Sequence, residues 1–479
     1  MALESQDTAT TSPDPAALAA LVEGEVSTDD ATLAWAARDW GSIVQQRPRV
    51  VVRPASVADV VAVVGFAAEH GVSLAARGAG HSPFGQGQSD GLVLDMTSMA
   101  AVHRVDRDGV VVEAGARWSD VLAATVQAGL TPPTLTDYMH VTVGGTLAVG
   151  GIGGATHHYG TQVDTVRELD VVTGTGELHT CSPTHNRDLF DAVRGGLGQC
   201  GIVVRATITL VEAPPRTRRW QLYYDDFDRY LREQRAVVAE GRFDYVEGQI
   251  VPAAPETQAR WRYMLEVAAY YGAAPHPGEP DEAALLGDLG DDRPSAEVVD
   301  STYPEFAHRM APAEEFLRTE GSWFHPHPWL NVFLPEQATG PLVSHVLEHT
   351  DLARDIGATG LLMLYPVRAD RLRAPLVRVP EGELVFLFAL LRTGDPYAVT
   401  DTARMIEANR DLYERAVAAG GCVYPANALA MTPQDWQRHF AGQWDRLAGA
   451  RHRFDPAGVL CPGQRVFPGP AAPPTPDPQ

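Results

Sequence analysis

A chain of 479 residues with 38 basic and 61 acidic side chains carries a formal charge of −23, which argues against a nucleic-acid partner, because binding to phosphates is driven largely by Lys and Arg. All 38 basic residues are arginines, so a P-loop lysine, a Schiff-base lysine and a Ser–Lys dyad are excluded. No run approaches the roughly 20 apolar residues of a membrane helix, and about 100–200 residues per domain predicts two or three domains.

The N-terminal stretch "MALESQDTATTSPDPAALAA" has neither a basic n-region nor an apolar h-region, so no secretory signal is expected and a cytoplasmic location is. Cys181, Cys200, Cys422 and Cys461 are widely separated, which predicts reduced, mostly buried thiols and no zinc site. The ordered chain is expected to begin near "RPRVVVRP" (47–54), a strand closed by proline. Ser56, with Asp59 at capping-box spacing, starts a helix that Gly71 ends. "VSLAAR" then returns as the second strand of a βαβ unit and runs into "ARGAGHSPFGQG" (76–87). "GLVLDM" (91–96) and "GVVVEAGA" (109–116) read as strands, and "WSDVLAATVQAG" (118–129) as a helix. A second glycine-rich stretch spans 136–160. Two strands around a Gly-Thr-Gly turn, a short helix at "NRDLFDAVRGG" and a long strand "GIVVRATITLVEAPP" follow. The texture changes at Pro214–Pro215 to aromatic strands ("RWQLYYDDF", "LVFLFALLRTG") and an acidic linker at 275–297. The Pro-rich end, 468–479, is expected to be disordered.

Several motifs match in letters but not in context. "GLGQCG" (196–201) is a G-x-G-x-x-G, yet a helix precedes it and a strand follows, the reverse of a dinucleotide fingerprint. "GQSDG" (87–91) fits a nucleophile elbow, which also needs a following helix, and a strand follows instead. "HPH" (325–327) and His157–His158 lack a further ligand at metal spacing and read as structural histidines. The two glycine-rich stretches suggest a long ligand threading between backbones, whose N–H groups can hold a pyrophosphate without lysine. On these residues alone a flavin dinucleotide site and a bare turn around His81 both stay open.

"RGAGHSPFGQ", "VGGTLAVGGIGG", "ELDVVTGTGE" and "GGLGQCGIV" together resemble the FAD-binding domain of the vanillyl-alcohol oxidase/p-cresol methylhydroxylase (PCMH) superfamily. More narrowly, "TDYMHVTVGGTL" (136–147), "FDYVEGQ" (243–249), "PWLNVFLP" (328–335) and "FDPAGVLCPGQRVF" (454–467) are similar to cytokinin dehydrogenases, in order from about residue 45 to 467. The resemblance implies an α+β, two-domain PCMH-type fold. Its FAD domain would be discontinuous (45–215, with a returning segment 431–467), after an N-terminal extension (1–44, partly disordered). A substrate-binding cap (216–430) would be built on an antiparallel sheet flanked by helices.

The same resemblance implies FAD attached through an 8α link to His81. Gly78, Ala79, Gly80, Ser82, Gln86, Asp137, Thr142, Ala148, Ile152, Ile202 and Gln464 would contact the cofactor. Ala148 departs from the family's usual serine, and Asp137-Tyr138-Met139-His140 has no cysteine for a second bond. Asp137 matches the family's base, and a carboxylate within reach of an amine N–H suits that role. Glu247 matches a second acidic residue facing the purine, where an unpaired acceptor would penalise a ligand lacking the donor. Trp329, Leu330 and Asn331 match the pocket-lining "WLN". "CVYPANAL" (422–429) stands where plant members carry a K-Q-Y-L-P-like segment, so what the resemblance implies for acceptor choice and substrate fit does not carry over at that segment. The implied reaction converts an N6-isoprenoid adenine through an imine to adenine and an unsaturated aldehyde, with oxygen or a quinone as acceptor. Two rivals stand beside it: a covalent-flavin oxidase acting on a sugar, alditol or alkaloid, and a non-catalytic flavin or cytokinin binder.

Overall fold

The computed structural model describes residues 13–253, 257 and 259–467; residues 1–12 and the Pro-rich tail 468–479 lie outside them. Ordered structure starts well before the expected "RPRVVVRP". Helix Pro15–Leu21 is capped by Asp14, strand Glu25–Ser27 follows, and helix Asp30–Ala36 is capped by Asp29. Asp59 explains part of this. Its carboxylate does not close a capping box; it accepts from the amides of Ala55 (2.7 Å), Gly24 (2.9 Å) and Glu23 (3.0 Å), tying the N-terminal segment down.

Helix Val57–His70 begins at Ser56, whose hydroxyl accepts from the Asp59 amide, and ends at Gly71, with φ +62°. The left-handed cap is cheap only for glycine. The flanking strands Val50–Arg53 and Leu74–Arg77 do not adjoin. Leu92–Asp95 lies between them, parallel to both, and Glu25–Ser27 pairs antiparallel at the outer edge of Val50–Arg53. A second, antiparallel sheet runs in the order Val102–Asp106, Gly109–Glu113, Ile202–Ile208, Val166–Val172, Leu178–Cys181. The long strand expected after Gly201 breaks at Thr209–Leu210, and Val211–Glu212 pairs instead with Leu130–Thr131. The second glycine stretch is not merely a loop, for it contains the helix Val143–Val149.

From Arg216 onward the chain builds an eight-stranded antiparallel sheet. Its order is Glu297–Thr302, Arg216–Tyr224, Trp261–Tyr271, Tyr245–Pro252, Leu361–Arg368, Leu384–Leu391, Leu330–Pro335, Cys422–Val423. Helices Phe227–Glu240, Glu336–His349 and Val399–Ala418 pack against this sheet through residues such as Leu231, Val343 and Leu412. The expected linker 275–297 is partly structured: helix Glu282–Leu286 buries Leu286, and Glu297 already begins an edge strand. The chain end returns to the first sheet, where Leu74 donates to the Val459 carbonyl and Cys461 donates to Leu74, both at 2.8 Å. All four cysteines are free, and burial raises the thiols of Cys181, Cys200 and Cys422 to about 12. Among the described residues no helix is long and apolar enough to cross a membrane.

Candidate active site

A cavity of roughly 860 Å³ runs between the glycine-rich stretches and the eight-stranded sheet, toward the top of the range of about 300–1,000 Å³ for small-molecule sites. His81, Asp137, Glu247, Trp329 and Asn331 line it, as do Gly78, Ala79, Gly80, Ser82, Gln86, Thr142, Ala148, Ile152, Ile202 and Gln464. Leu330 does not. It is wholly buried in the core, because successive side chains entering a strand point to opposite faces and Trp329 and Asn331 take the cavity side.

The loop carrying His81 is clasped by the segment that precedes the first predicted strand. The Trp40 amide donates to the Gly80 carbonyl (2.8 Å) and Gly41 to that of Ser82 (3.0 Å). Asp39 accepts from the Ser82 hydroxyl (2.9 Å) and the Gly85 amide (2.5 Å), while burial raises its carboxyl to about 6. Gly80, at φ +66°, leaves room for the Arg77 guanidinium, with which any Cβ would collide. The His81 ring lies between Trp40 (4.3 Å) and Tyr138 (4.4 Å), and burial lowers its imidazole to about 3. It is therefore neutral near pH 7, with a ring lone pair available.

The second wall forms where Thr142 starts helix Val143–Val149 and Gly144 packs on Ala114. Ala148 presents no hydrogen-bonding side chain. Further along, the Gly151 amide donates to the Tyr424 hydroxyl (3.1 Å), which places the departing segment 422–429 against this wall. Gln86 spends its amide on the protein, accepting from Phe84 and donating to the Asn427 carbonyl, both at 2.8 Å. Asn331 likewise donates to the Ala426 carbonyl. The rejected "GLGQCG" is indeed flanked by helix Arg187–Val193 and strand Ile202–Ile208, but its Leu197, Gly198 and Gly201 line the cavity as backbone wall. His157 and His158 both face the Phe243 carbonyl, a structural role, whereas His327 stacks on Trp40 at 3.6 Å and lines the cavity. Ser89 is buried against Ser73, not poised as a nucleophile.

This cavity fits a flavin dinucleotide. It has the volume, two backbone-lined walls, and a buried Arg77 whose Nε and Nη1 meet no protein acceptor among the described residues. Gly78, Gly80, Thr142 and Gln464 would lie along the cofactor.

At the far end is a charged cluster that the sequence reading did not anticipate. Arg309 donates from Nη2 to Asp137 Oδ1 (2.6 Å) and from Nε to Glu266 Oε1 (3.0 Å), pairs with the Tyr245 hydroxyl, and lies 4.0 Å from Glu247. Tyr245 also donates to Asp137 Oδ1 (2.8 Å). Both bonds therefore fall on one oxygen, and among the described residues Oδ2 has no hydrogen-bond partner. Glu247 and Glu266 are directly opposed across neighbouring strands. Burial pushes Glu247 well above the usual carboxylate range; the Asp137 charge adds to this and Arg309 opposes it. Among the described residues Glu247 Oε1 is buried without a hydrogen-bond partner. Asp137 and Arg309 lie 172 residues apart, so no spacing signal could link them. The available hint was Glu266, a carboxylate alone inside the apolar strand "WRYMLEVAAYY". Helix Ala311–Glu320, none of whose residues is buried, brings Ala313, Phe316 and Leu317 to the same cavity.

Comparison with known proteins agrees with this architecture. A family profile described as "FAD binding domain" matches residues 48–182, and one described as "Cytokinin dehydrogenase 1, FAD and cytokinin binding" matches 251–467. The chain is 43 % identical to the "Uncharacterized oxidoreductase ORF5 in fasciation locus" of Rhodococcoides fascians, over 92 % of this chain and 98 % of the relative. It is 35 % identical to cytokinin dehydrogenase 10 of Oryza sativa subsp. japonica (93 % and 89 % covered) and 33 % identical to cytokinin dehydrogenase 2 of Arabidopsis thaliana (92 % and 93 %). The chain thus belongs to the cytokinin dehydrogenase family and is an FAD-binding oxidoreductase with the α+β, two-domain PCMH-type fold.

Proposed function

We propose that this protein oxidises the N6-isoprenoid side chain of cytokinins such as isopentenyladenine and zeatin, and that its FAD is linked covalently to His81. The observation that carries the reading is Asp137. It is a carboxylate on the cavity wall with two donors on Oδ1, so Oδ2 is an acceptor for a substrate N–H. Bound FAD supplies the hydride acceptor for the substrate carbon. Asp137 takes the proton from the exocyclic nitrogen as the C=N bond forms, and water then splits the imine into adenine and an unsaturated aldehyde. A base at this position contributes on the order of 10²–10⁴-fold. Glu247 faces the bound purine from the cavity wall, and Trp329 offers a flat surface beside Trp40 at 4.6 Å. The neutral His81 imidazole supports attachment, since its lone pair is the bonding electron pair.

Anaerobic mixing with isopentenyladenine, followed by flavin absorbance, tests the reaction. Bleaching is expected. Flavin that stays oxidised with isopentenyladenine but bleaches with a polyol refutes it.

A further inference from the structure

The clamp around Asp137 has more structure than a proton acceptor requires. The Arg309 side chain is 12 % exposed and bonds to Asp137 and Glu266 from different nitrogens. Its guanidinium also stacks on the rings of Tyr245 (4.6 Å) and Phe306 (4.7 Å), which fixes its plane. Glu266 is itself held, accepting from Gln221 Nε2 (3.1 Å) with Arg219 at 3.7 Å. The cation touching both Glu266 and Asp137 is Arg309. A lysine, with one point charge, could not reproduce the two-directional fork.

We propose that Arg309 is a positioning residue for proton transfer: anchored on Glu266, it holds Oδ1 of Asp137 so that Oδ2 is the oxygen that receives the substrate N–H. This rests on the reaction proposed above. The groups facing Asp137 are Tyr245 and Glu247 on strand Tyr245–Pro252, Glu266 on Trp261–Tyr271, Tyr365 on Leu361–Arg368, and Arg309. Removing that cation takes away the ion-pair partner of the Asp137 carboxylate.

The test measures anaerobic flavin reduction by isopentenyladenine against pH in the wild type, Arg309→Gln, Arg309→Lys and Glu266→Gln. Arg309→Gln should slow reduction roughly tenfold or more and move the acid limb up by about one pH unit or more. Arg309→Lys should restore the limb but not the rate. Glu266→Gln, which releases the anchor and keeps the cation, should slow reduction without raising the limb. A readout free of turnover is a double-mutant cycle on melting temperature. Asp137→Asn should lower it clearly in the wild type and little in the Arg309→Gln background. An unmoved limb in Arg309→Gln, or no coupling in the cycle, overturns the proposal. If isopentenyladenine leaves wild-type flavin oxidised, the reaction assignment fails, and the cycle still decides whether Arg309 clamps Asp137.

A separate observation concerns the outer surface. His345, Glu348 and His349 share one exposed face of helix Glu336–His349, and their ligand atoms lie within 4.8 Å of one another. His349 Nδ1 donates to the His345 carbonyl (2.8 Å), which leaves its Nε2 lone pair outward, the tautomer that binds metals. Arg260 pins the helix end through the carbonyls of Glu348 (3.3 Å) and Thr350 (2.5 Å). The geometry points to a surface site for a late first-row divalent ion such as Zn²⁺, Ni²⁺ or Cu²⁺, with water completing the coordination. Calorimetric titration of the flavin-loaded protein with Ni²⁺ and Zn²⁺ tests it. Affinity should fall roughly tenfold or more in His345→Ala and in His349→Ala, because each removes one of two imidazole ligands. Equal affinity in wild type and both variants overturns the site.

Discussion

Glu247→Gln removes an ionisable proton from a carboxyl that is 3 % exposed while keeping its shape. Burial raises the native Glu247 well above the ordinary range, whereas the unfolded chain releases this proton near a pKa of about 4.3. Unfolding above that pH therefore releases a proton. The stability this group contributes is full below about pH 4.3 and falls as pH rises, until the folded carboxyl itself ionises. The slope is about 1.4 kcal/mol per pH unit. An unfolding entropy of about 2.1 cal/mol/K per residue comes to on the order of 1 kcal/mol/K for a chain of this length, so each unit moves the melting temperature by roughly 1.4 °C. Glutamine has no such slope. Above about pH 5, and for as long as the folded carboxyl stays protonated, melting of the variant should rise relative to wild type by roughly 1.4 °C per pH unit, read by differential scanning fluorimetry at a fixed scan rate. A difference that stays flat as the pH rises refutes a raised Glu247 carboxyl.

Asp137→Asn should slow flavin reduction by about 10²–10⁴-fold while the protein keeps its flavin; equal losses in rate and in cofactor content would mean that Asp137 only holds the flavin. His81→Ala should abolish the fluorescent band that the wild type shows in an acid-treated denaturing gel, and a wild-type band without fluorescence would refute the covalent link. Leu330→Ala should destabilise the fold by about 2–5 kcal/mol in chemical unfolding, as expected for a core leucine, while affinity for isopentenyladenine stays near wild type. A large loss of affinity without loss of stability would return Leu330 to the pocket.

Features governed by near neighbours in the chain were legible without coordinates. Ser56 and Gly71 bound their helix because capping is settled within a turn, and glycines around His81 mark a backbone that packs too closely for side chains. The motif set around His81, Asp137 and Glu247 also carried the family, since it is distributed along most of the chain. Only the tertiary structure decided what those residues touch. Leu330 faces the core because strand alternation acts at its position. Asp39 and Trp40 clasp the His81 loop from a segment that looked like an extension. Arg309 reaches Asp137 across 172 residues because the turn that carries it packs against the Glu266 strand and the glycine-rich segment of Asp137. Nothing in local spacing selects which of 38 arginines that is; the packing of helix turn, sheet and glycine loop around one cavity does.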